Sequence, residues 1–335
     1  MSEHATFFRE TVERILSDTL TQADIEASAE RRLPGACLAA LSENGVPLIL
    51  VPEENGGIGG DLVDACEIMR AAGQAAMPGP LLETMLGNRI LAMGGLALGD
   101  GPLALVFADN GVALFDVPWG GLASQVIVLE DRGGKAVAHR IDPSQMSIDP
   151  ALDAASEPRD TLRGTIGAES FDTGCDINEL HRSASIMRAS QILGAVEWTL
   201  KRSIEYAGER EQFGRPIGKF QAVQQMLAEL SGHVLAAGGI VEAAAANPNR
   251  TLVAAARARL GDASDAAIAI GHQVHGAIGF SIEYALNHRT RRLMSWRDDF
   301  GSVAHWRRAL ASRFTGNSRE DFWPAISDAG LDEAA

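Results

Sequence analysis

The stretch EYAGEREQFGRPIGKFQAV, residues 205–223, decides how the second half of this chain folds. Apolar residues recur at helical spacing from about Ile186 up to this stretch and again from Phe220 onward. One helix is therefore predicted to end near Gly208 and a second to begin near Phe220. The connection holds three residues that are typical of tight turns, namely Gly214, Pro216 and Gly218. The sequence thus predicts a rigid corner between two helices.

Three side chains at this corner are suited to binding a ligand. Arg210 supplies a guanidinium that can hold a phosphate, Gln212 supplies an amide, and Phe213 supplies a ring that can stack on a flat group. The turn itself, with its glycines and proline, requires none of these three side chains. The corner is therefore a candidate binding site for a planar, phosphate-bearing molecule.

The same corner resembles the signature of the acyl-CoA dehydrogenase family, which reads Tyr-x-x-x-Arg-x-x-Phe-Gly-x-x-Ile-x-x-Phe-Gln. Every fixed position is met here, by Tyr206, Arg210, Phe213, Gly214, Ile217, Phe220 and Gln221. The order of helical, β and helical regions is also that of the family, so the resemblance spans nearly the whole chain.

A second phrase, QVHGAIGF at residues 273–280, resembles the family phrase Gln-x-x-Gly-Gly-x-Gly-Phe, with Ala277 in place of the second glycine. Glycines let backbone amides approach a pyrophosphate closely. The resemblance implies that the two motifs contact FAD held mainly by a neighbouring subunit. The candidate cofactor-binding residues are Arg210, Gln212, Phe213, Gln273, Gly276, Ala277 and Gly279. His275 is expected to be a packed residue of the motif rather than a catalytic base.

The coarse pattern predicts a mainly α protein with a small β domain. Residues 1–100 are predicted to form an N-terminal helical domain, residues 101–175 a shortened antiparallel β domain, and residues 176–335 a C-terminal four-helix bundle. Within the first region, residues 27–44 are predicted to be helical and residues 45–51 extended. A glycine-rich turn follows, and Asp61 is the predicted N-cap of the next helix. Asn110-Gly111 predicts a hairpin turn in the β region.

Composition excludes several classes of partner. The chain carries 44 acidic against 29 basic residues, a net charge of −15, so a surface for nucleic acid or anionic membrane is not expected. Three widely spaced cysteines, Cys37, Cys66 and Cys175, favour neither a disulfide framework nor a metal site. No apolar run is long enough to span a membrane, and the N-terminus lacks the layout of a signal peptide. The sequence therefore predicts a cytoplasmic protein without a metal.

The resemblance implies α,β-dehydrogenation of an acyl-CoA, in which a carboxylate removes the α proton and the β hydrogen leaves as hydride to the flavin. The family places this carboxylate at one of two positions, which fall at Phe300 and Ala184 in this chain. Neither side chain can accept a proton. Asp299, next to the first position, is the remaining candidate base. The competing interpretation makes Asp298 and Asp299 a solvated pair near the start of a helix.

Three hypotheses follow. In the first, the chain is one subunit of a heteromeric dehydrogenase whose longer partner chain supplies the complete flavin domain and the base; such pairs act on bulky CoA thioesters such as steroid side-chain intermediates. The β region lacks the family phrase Thr-Glu-Pro-x-x-Gly-Ser-Asp (residues 117–124 are the nearest text), which favours this hypothesis. In the second, the chain is a self-sufficient homotetramer that uses Asp299. In the third, it is a non-catalytic interaction protein. For an active enzyme, the resemblance implies electron-transfer flavoprotein as the acceptor.

Overall fold

The computed structural model describes residues 3–108, 113–164, 169–315 and 320–324. Internal contacts divide the chain into two compact units, residues 1–184 and 185–335. The architecture is mainly helical with a small β region, which confirms the predicted fold class. The finer division into three domains, with boundaries after residues 100 and 175, stays a prediction.

The first unit begins with five α-helices. They are α1 (Glu3–Thr19), α2 (Gln22–Glu26), α3 (Gly35–Glu43), α4 (Leu62–Ala75) and α5 (Leu81–Met93). The helix predicted over residues 27–44 is interrupted, because Arg31 takes a left-handed conformation with φ of 60° and Pro34 has no backbone N–H to donate. The predicted cap of α4 is confirmed, since the Asp61 carboxylate accepts a hydrogen bond from the backbone N–H of Asp64 at 3.0 Å.

The segment between α3 and α4 is not extended, so the prediction of an extended piece over residues 45–51 is wrong. It forms tight turns instead, with a 3-10 helix at Val46–Leu48. The chain then folds back on itself, and the N–H of Gly60 donates to the carbonyl of Ile49 at 2.8 Å. A Cβ atom at Gly57 would lie 2.1 Å from the carbonyl oxygen of Val51, so this fold-back needs a glycine.

Among the described residues of the first unit, seven strands form two sheets. They are β1 (Leu103–Ala108), β2 (Ala113–Pro118), β3 (Gln125–Arg132), β4 (Lys135–Ile141), β5 (Ser147–Asp149), β6 (Arg159–Arg163) and β7 (Ser170–Asp176). One sheet has the order β1-β3-β4-β7 and the other β2-β6-β5. The pairs are antiparallel as predicted, except that β1 and β3 run parallel. The predicted Asn110-Gly111 turn and the predicted strand residues Thr165 and Ile166 lie outside the described residues.

The two sheets share one apolar core. Both contribute fully buried side chains to it, including Val126 and Val128 from one sheet and Val117 and Leu162 from the other. Val126 and Val128 are two positions apart on β3, so their side chains project from the same face of that strand. The β region therefore has a packed interior of its own despite its short length.

A buried ion pair ties the region after α2 to the second sheet. The two terminal nitrogens of Arg31 donate to the two carboxylate oxygens of Asp160 at 2.8 and 2.9 Å, and the N–H of Gly121 donates to the same carboxylate at 2.8 Å. Burial raises the pKa of the Asp160 carboxyl, but the hydrogen bonds from Arg31 and Gly121 outweigh it, so the pKa lies below its usual range. A bidentate pair of this kind is among the stronger charged interactions.

Asp160→Asn is expected to lower the free energy of unfolding at pH 7 by about 3 kcal/mol, because it removes one partner of a buried pair. An aspartate whose pKa is depressed in the folded state stabilises the fold above its unfolded pKa of about 3.9, and the contribution is lost as the pH falls through the folded value. The gap between wild type and variant should therefore narrow below about pH 4. Urea unfolding at pH 7 and pH 3 measures this gap, with the exposed Asp149→Asn as control. A gap that does not change with pH would contradict the assignment.

The second unit is helical. The long helix α6 (Ile177–Glu209) enters it, and the remaining elements are β8 (Glu211–Gln212), β9 (Arg215–Pro216), α7 (Gln221–Ala246), α8 (Arg250–His275), α9 (Ala285–Trp296) and α10 (Val303–Phe314). α8 packs against α7, α9 and α10. The predicted ends of the corner are confirmed, since α6 stops at Glu209 and α7 begins at Gln221. None of the helices described in either unit has the length and apolar character needed to cross a membrane.

Candidate functional site

The corner between α6 and α7 is a miniature β-hairpin. Gln212 in β8 pairs with Arg215 in β9, which leaves Phe213 and Gly214 as a two-residue loop. Both loop residues have positive φ, 51° for Phe213 and 75° for Gly214, as a type I′ turn requires. Asn or Gly is the usual choice at the first of these positions, so a bulky phenylalanine there is a strained conformation. Strain of this kind in a folded protein often marks a functional position.

The side chains predicted to bind the cofactor project from this hairpin into solvent. Phe213 is 93% exposed, and Arg210 and Gln212 are also exposed. The base of the hairpin is packed, because the Arg215 guanidinium lies 4.3 Å from the centre of the Phe220 ring. The corner therefore presents an aromatic ring and a guanidinium on a fixed support.

The second predicted motif forms the end of α8 and the 3-10 turn that follows, Gly276–Phe280. Gly276 has φ of 66° and ψ of −146°, a region that is essentially restricted to glycine, and a Cβ atom there would meet nothing within 4 Å. Gln273 and Ala277 are exposed beside this open backbone, whereas Gly279 is buried. The exposed ring of Phe280 stacks on His272 with 4.2 Å between ring centres.

A stacked pair of rings joins the two motifs. Tyr206, from the α6 signature, stacks on His275 at 4.4 Å between ring centres, and its hydroxyl donates to the His275 carbonyl at 3.4 Å. Nδ1 of His275 lies 2.8 Å from the carbonyl oxygen of Gly271, so Nδ1 carries the proton. Burial lowers the pKa of His275, and the ring is neutral near pH 7. His275 is thus a packed, hydrogen-bonded residue of the motif.

The turn between α9 and α10 contains the first expected position of the catalytic base. Phe300 occupies that position, in a left-handed conformation with φ of 56°. Ala184, at the second expected position, is fully buried in α6. The structure therefore places no acid at either position.

The neighbouring candidate, Asp299, is not a solvated residue as the competing interpretation held. Its side chain is buried, and Oδ2 lies 2.9 Å from Nε of the equally buried Arg188. Arg257 supports the same turn from α8, since its guanidinium donates to the backbone carbonyls of Arg297 and Asp299. Burial lowers the pKa of Arg257 to about 10, while the charge of Asp299 raises it. Arg188 therefore pairs with the Asp299 carboxylate, and Arg257 binds the backbone of the same turn. Asp298, by contrast, is exposed as expected.

Sequence reasoning missed Arg188 and Arg257. A signal was present for Arg188, which lies four residues before Ile192 and eight before Val196 on the apolar face of α6. A charged residue at such a position is buried and needs a partner. The sequence does not identify that partner, because Asp299 is distant along the chain.

The geometry fits contact with a dinucleotide cofactor that lies on the outer surface of this chain. An exposed guanidinium suits a phosphate, the exposed Phe213 ring suits a flat ring system, and the open backbone at Gly276 can lie against a pyrophosphate. A metal site is not indicated: the described ranges contain no group of three or more His, Cys, Asp or Glu side chains that could hold a metal. The two motifs therefore remain the candidate contact surface for a nucleotide cofactor.

Comparison with known proteins identifies the family of this chain. Residues 2–98 match the acyl-CoA dehydrogenase N-terminal domain and residues 174–314 match the acyl-CoA dehydrogenase C-terminal domain. Acyl-CoA dehydrogenase IpdE2 of Mycobacterium tuberculosis is 30% identical over 297 residues, which cover 85% of this chain and 89% of that protein. FadE34 of the same species is 31% identical over 295 residues, although the match covers only 41% of its length.

Solved structures share the fold. The ChsE4-ChsE5 complex from M. tuberculosis matches with a TM-score of 0.84 at 19% identity, covering 95% of this chain and 99% of that chain. Butyryl-CoA dehydrogenase from Megasphaera elsdenii matches with a TM-score of 0.79 at 17% identity, covering 93% and 98%. The chain belongs to the acyl-CoA dehydrogenase family. It is an oxidoreductase of the FAD-dependent type that acts on acyl-CoA.

Proposed function

We propose that this chain is the cofactor-completing subunit of a heteromeric acyl-CoA dehydrogenase. A longer partner chain supplies the main FAD-binding domain and the catalytic base. The corner between α6 and α7 and the turn at Gly276 contact the part of that FAD that the partner leaves exposed. The proposal rests on one observation: this chain has side chains suited to contact FAD but lacks a carboxylate at the expected base positions. Arg210, Phe213 and Gln273 are present and exposed as the cofactor contact requires, whereas the expected base positions hold Phe300 and Ala184.

Each motif has a defined task in this proposal. FAD, when bound, supplies the acceptor for the hydride that leaves the acyl β carbon. Arg210 neutralises phosphate charge, and the Phe213 ring covers a flat face of the cofactor and excludes water from it. Gln273 donates through its side-chain amide and Ala277 offers its backbone N–H. The N–H of Gly276 already donates to the carbonyl of His272, so Gly276 contributes a close approach without a side chain. Tyr206 and His275 hold the two motifs at a fixed separation.

The wider setting is part of the same proposal. The substrate is an acyl-CoA. A bulky thioester is favoured because the steroid acyl-CoA dehydrogenase Tcur3481-Tcur3483 shares the fold, with a TM-score of 0.82 at 19% identity. A partner of different sequence is supported by the ChsE4-ChsE5 complex. Electron-transfer flavoprotein would reoxidise the flavin. Three free cysteines, Cys37, Cys66 and Cys175, agree with a reducing cytoplasm.

The visible absorption spectrum of the purified protein tests the proposal. The chain would be expressed alone and together with a longer acyl-CoA dehydrogenase chain of the same organism. A colourless chain that forms a yellow, active complex with the partner is the expected result. Flavin bands and dehydrogenase activity from the chain alone would support the homotetramer that uses Asp299. If neither preparation binds flavin, the interaction protein becomes the better hypothesis.

A substitution at the strained hairpin position separates folding from cofactor binding. Asparagine tolerates the left-handed conformation, so Phe213→Asn is expected to change the free energy of unfolding by less than about 1 kcal/mol. Loss of the ring should nevertheless weaken FAD retention by the complex about 3- to 10-fold, the size of one aromatic stacking contact. Urea unfolding and flavin release into a filtrate measure the two quantities. Unchanged retention would remove Phe213 from the site.

A further inference from the structure

A cavity of about 400 Å³ lies in the first unit. Its walls come from α3, from the turn at Pro47, from the first part of α5 and from the loop at residues 99–102. The floor consists of buried side chains, Leu41, Leu81 and Thr84. The rim is exposed at Ala39 and Asp100, so a molecule can enter from solvent.

Two polar side chains of α5 hold this cavity open. The amide of Asn88, which is fully buried, donates to the carbonyl of Pro47 at 3.3 Å and accepts from the N–H of Gly99 at 2.8 Å. One turn earlier, the Thr84 hydroxyl accepts from the N–H of Leu103 at 3.1 Å. These bonds fix the 99–102 loop across the cavity from α3. The space is therefore built into the fold and does not need a ligand to form it.

We propose that this cavity is a binding site for a neutral, mainly apolar small molecule. Most of its lining surface is apolar, so apolar area is removed from water on binding. Its volume lies within the range of about 300–1,000 Å³ found for small-molecule sites. A hydroxyl or amine on the ligand could donate to the Asp100 carboxylate at the rim.

The charge at the rim separates this site from the dehydrogenation site. Asp100 is the charged member of the described lining, and its carboxylate repels anions. An acyl-CoA carries several phosphate charges and would be disfavoured there. The ligand of the cavity is thus of a different chemical class from the substrate proposed above, and the inference does not depend on that proposal.

Fluorescence titration with N-phenyl-1-naphthylamine, a neutral apolar fluorophore, tests the site on the full chain. A saturable rise in emission is expected for the wild type. Ala39→Trp places a large ring at the exposed rim and should weaken binding at least 10-fold, whereas Ala36→Trp, an exposed position of α3 outside the lining, should leave it unchanged. Decanol should displace the fluorophore and decanoyl-CoA should not.

Three results would overturn the inference: no saturable binding by the wild type, equal binding by Ala39→Trp, or displacement by decanoyl-CoA as effective as by decanol. The second result would assign the signal to another apolar surface, such as the exposed Phe213 and Phe280 rings. Thermal unfolding must first show that each variant is folded. If Ala39→Trp is not, Ser42→Trp on the same rim replaces it, with the same expected loss.

Discussion

Complexes that carry Arg210→Ala are expected to release FAD about 10- to 100-fold more readily than wild-type complexes. The change removes a charge-assisted hydrogen bond, or a bidentate pair, to a cofactor phosphate, and such bonds contribute about 1.5–3 kcal/mol each. Arg210 is exposed in this chain and lies at the end of α6, so its loss should leave the fold intact. Flavin retained after gel filtration at a series of complex concentrations measures the effect.

Two further variants make the Arg210 result specific. Arg210→Lys keeps the charge but not the planar fork of donors, so intermediate retention is expected. Arg308→Ala, on the exposed face of α10, removes an arginine from the same unit without touching either motif and should retain FAD as the wild type does. Equal losses from Arg210→Ala and Arg308→Ala would point to a general charge effect and contradict a direct contact.

Asp299→Asn is expected to lower the free energy of unfolding by about 3–5 kcal/mol, because it leaves the buried guanidinium of Arg188 without its carboxylate. Arg188 and Arg257 repel each other, and Asp299→Asn also removes the negative charge that offsets this repulsion. The exposed Asp298→Asn serves as the matched control and should cost less than about 1 kcal/mol. Urea unfolding of the three proteins gives the comparison.

The same variant discriminates between the hypotheses for Asp299. A catalytic base would show a large loss of kcat with nearly unchanged stability, whereas the buried ion pair predicts the reverse in a flavin-loaded complex. A double-mutant cycle with Arg188→Met isolates the interaction between the two side chains. Additive effects of Asp299→Asn and Arg188→Met would show that they do not interact, and the structural role would then be wrong.

The corner and the glycine turn could be predicted because their information is local. Turn residues, capping residues and helical periodicity act over a few positions, so the ends of α6 and α7 and the cap at Asp61 follow from neighbouring residues. The residue types at the corner indicated only a site for a phosphate and a flat ring. The family signature added the expectation that Arg210 and Phe213 contact FAD. Exposure of Phe213 could not be read from sequence, because an isolated phenylalanine is as typical of a core as of a surface.

The features that sequence reasoning missed depend on contacts between distant residues. The ion pair between Arg188 and Asp299 joins α6 to the turn between α9 and α10, which are far apart along the chain. The parallel pairing of β1 with β3 is likewise a property of the sheet and not of either strand. The fold-back over residues 45–60 was misread because its apolar run has the composition of a strand, whereas the packing at Gly57 determines its turns. Local sequence patterns therefore do not predict these contacts between distant residues.

In the proposed heteromer, the hairpin at Phe213 and Gly214 is part of the surface that meets the partner chain and its cofactor. Its own backbone pairing and the packing of Arg215 on Phe220 fix its shape, so the proposed association would not require this corner to fold. The heat-capacity change of assembly should therefore match the apolar area that becomes covered, without the excess that accompanies coupled folding. Association should also proceed at the rate of two preformed surfaces meeting, about 10⁵–10⁷ M⁻¹s⁻¹.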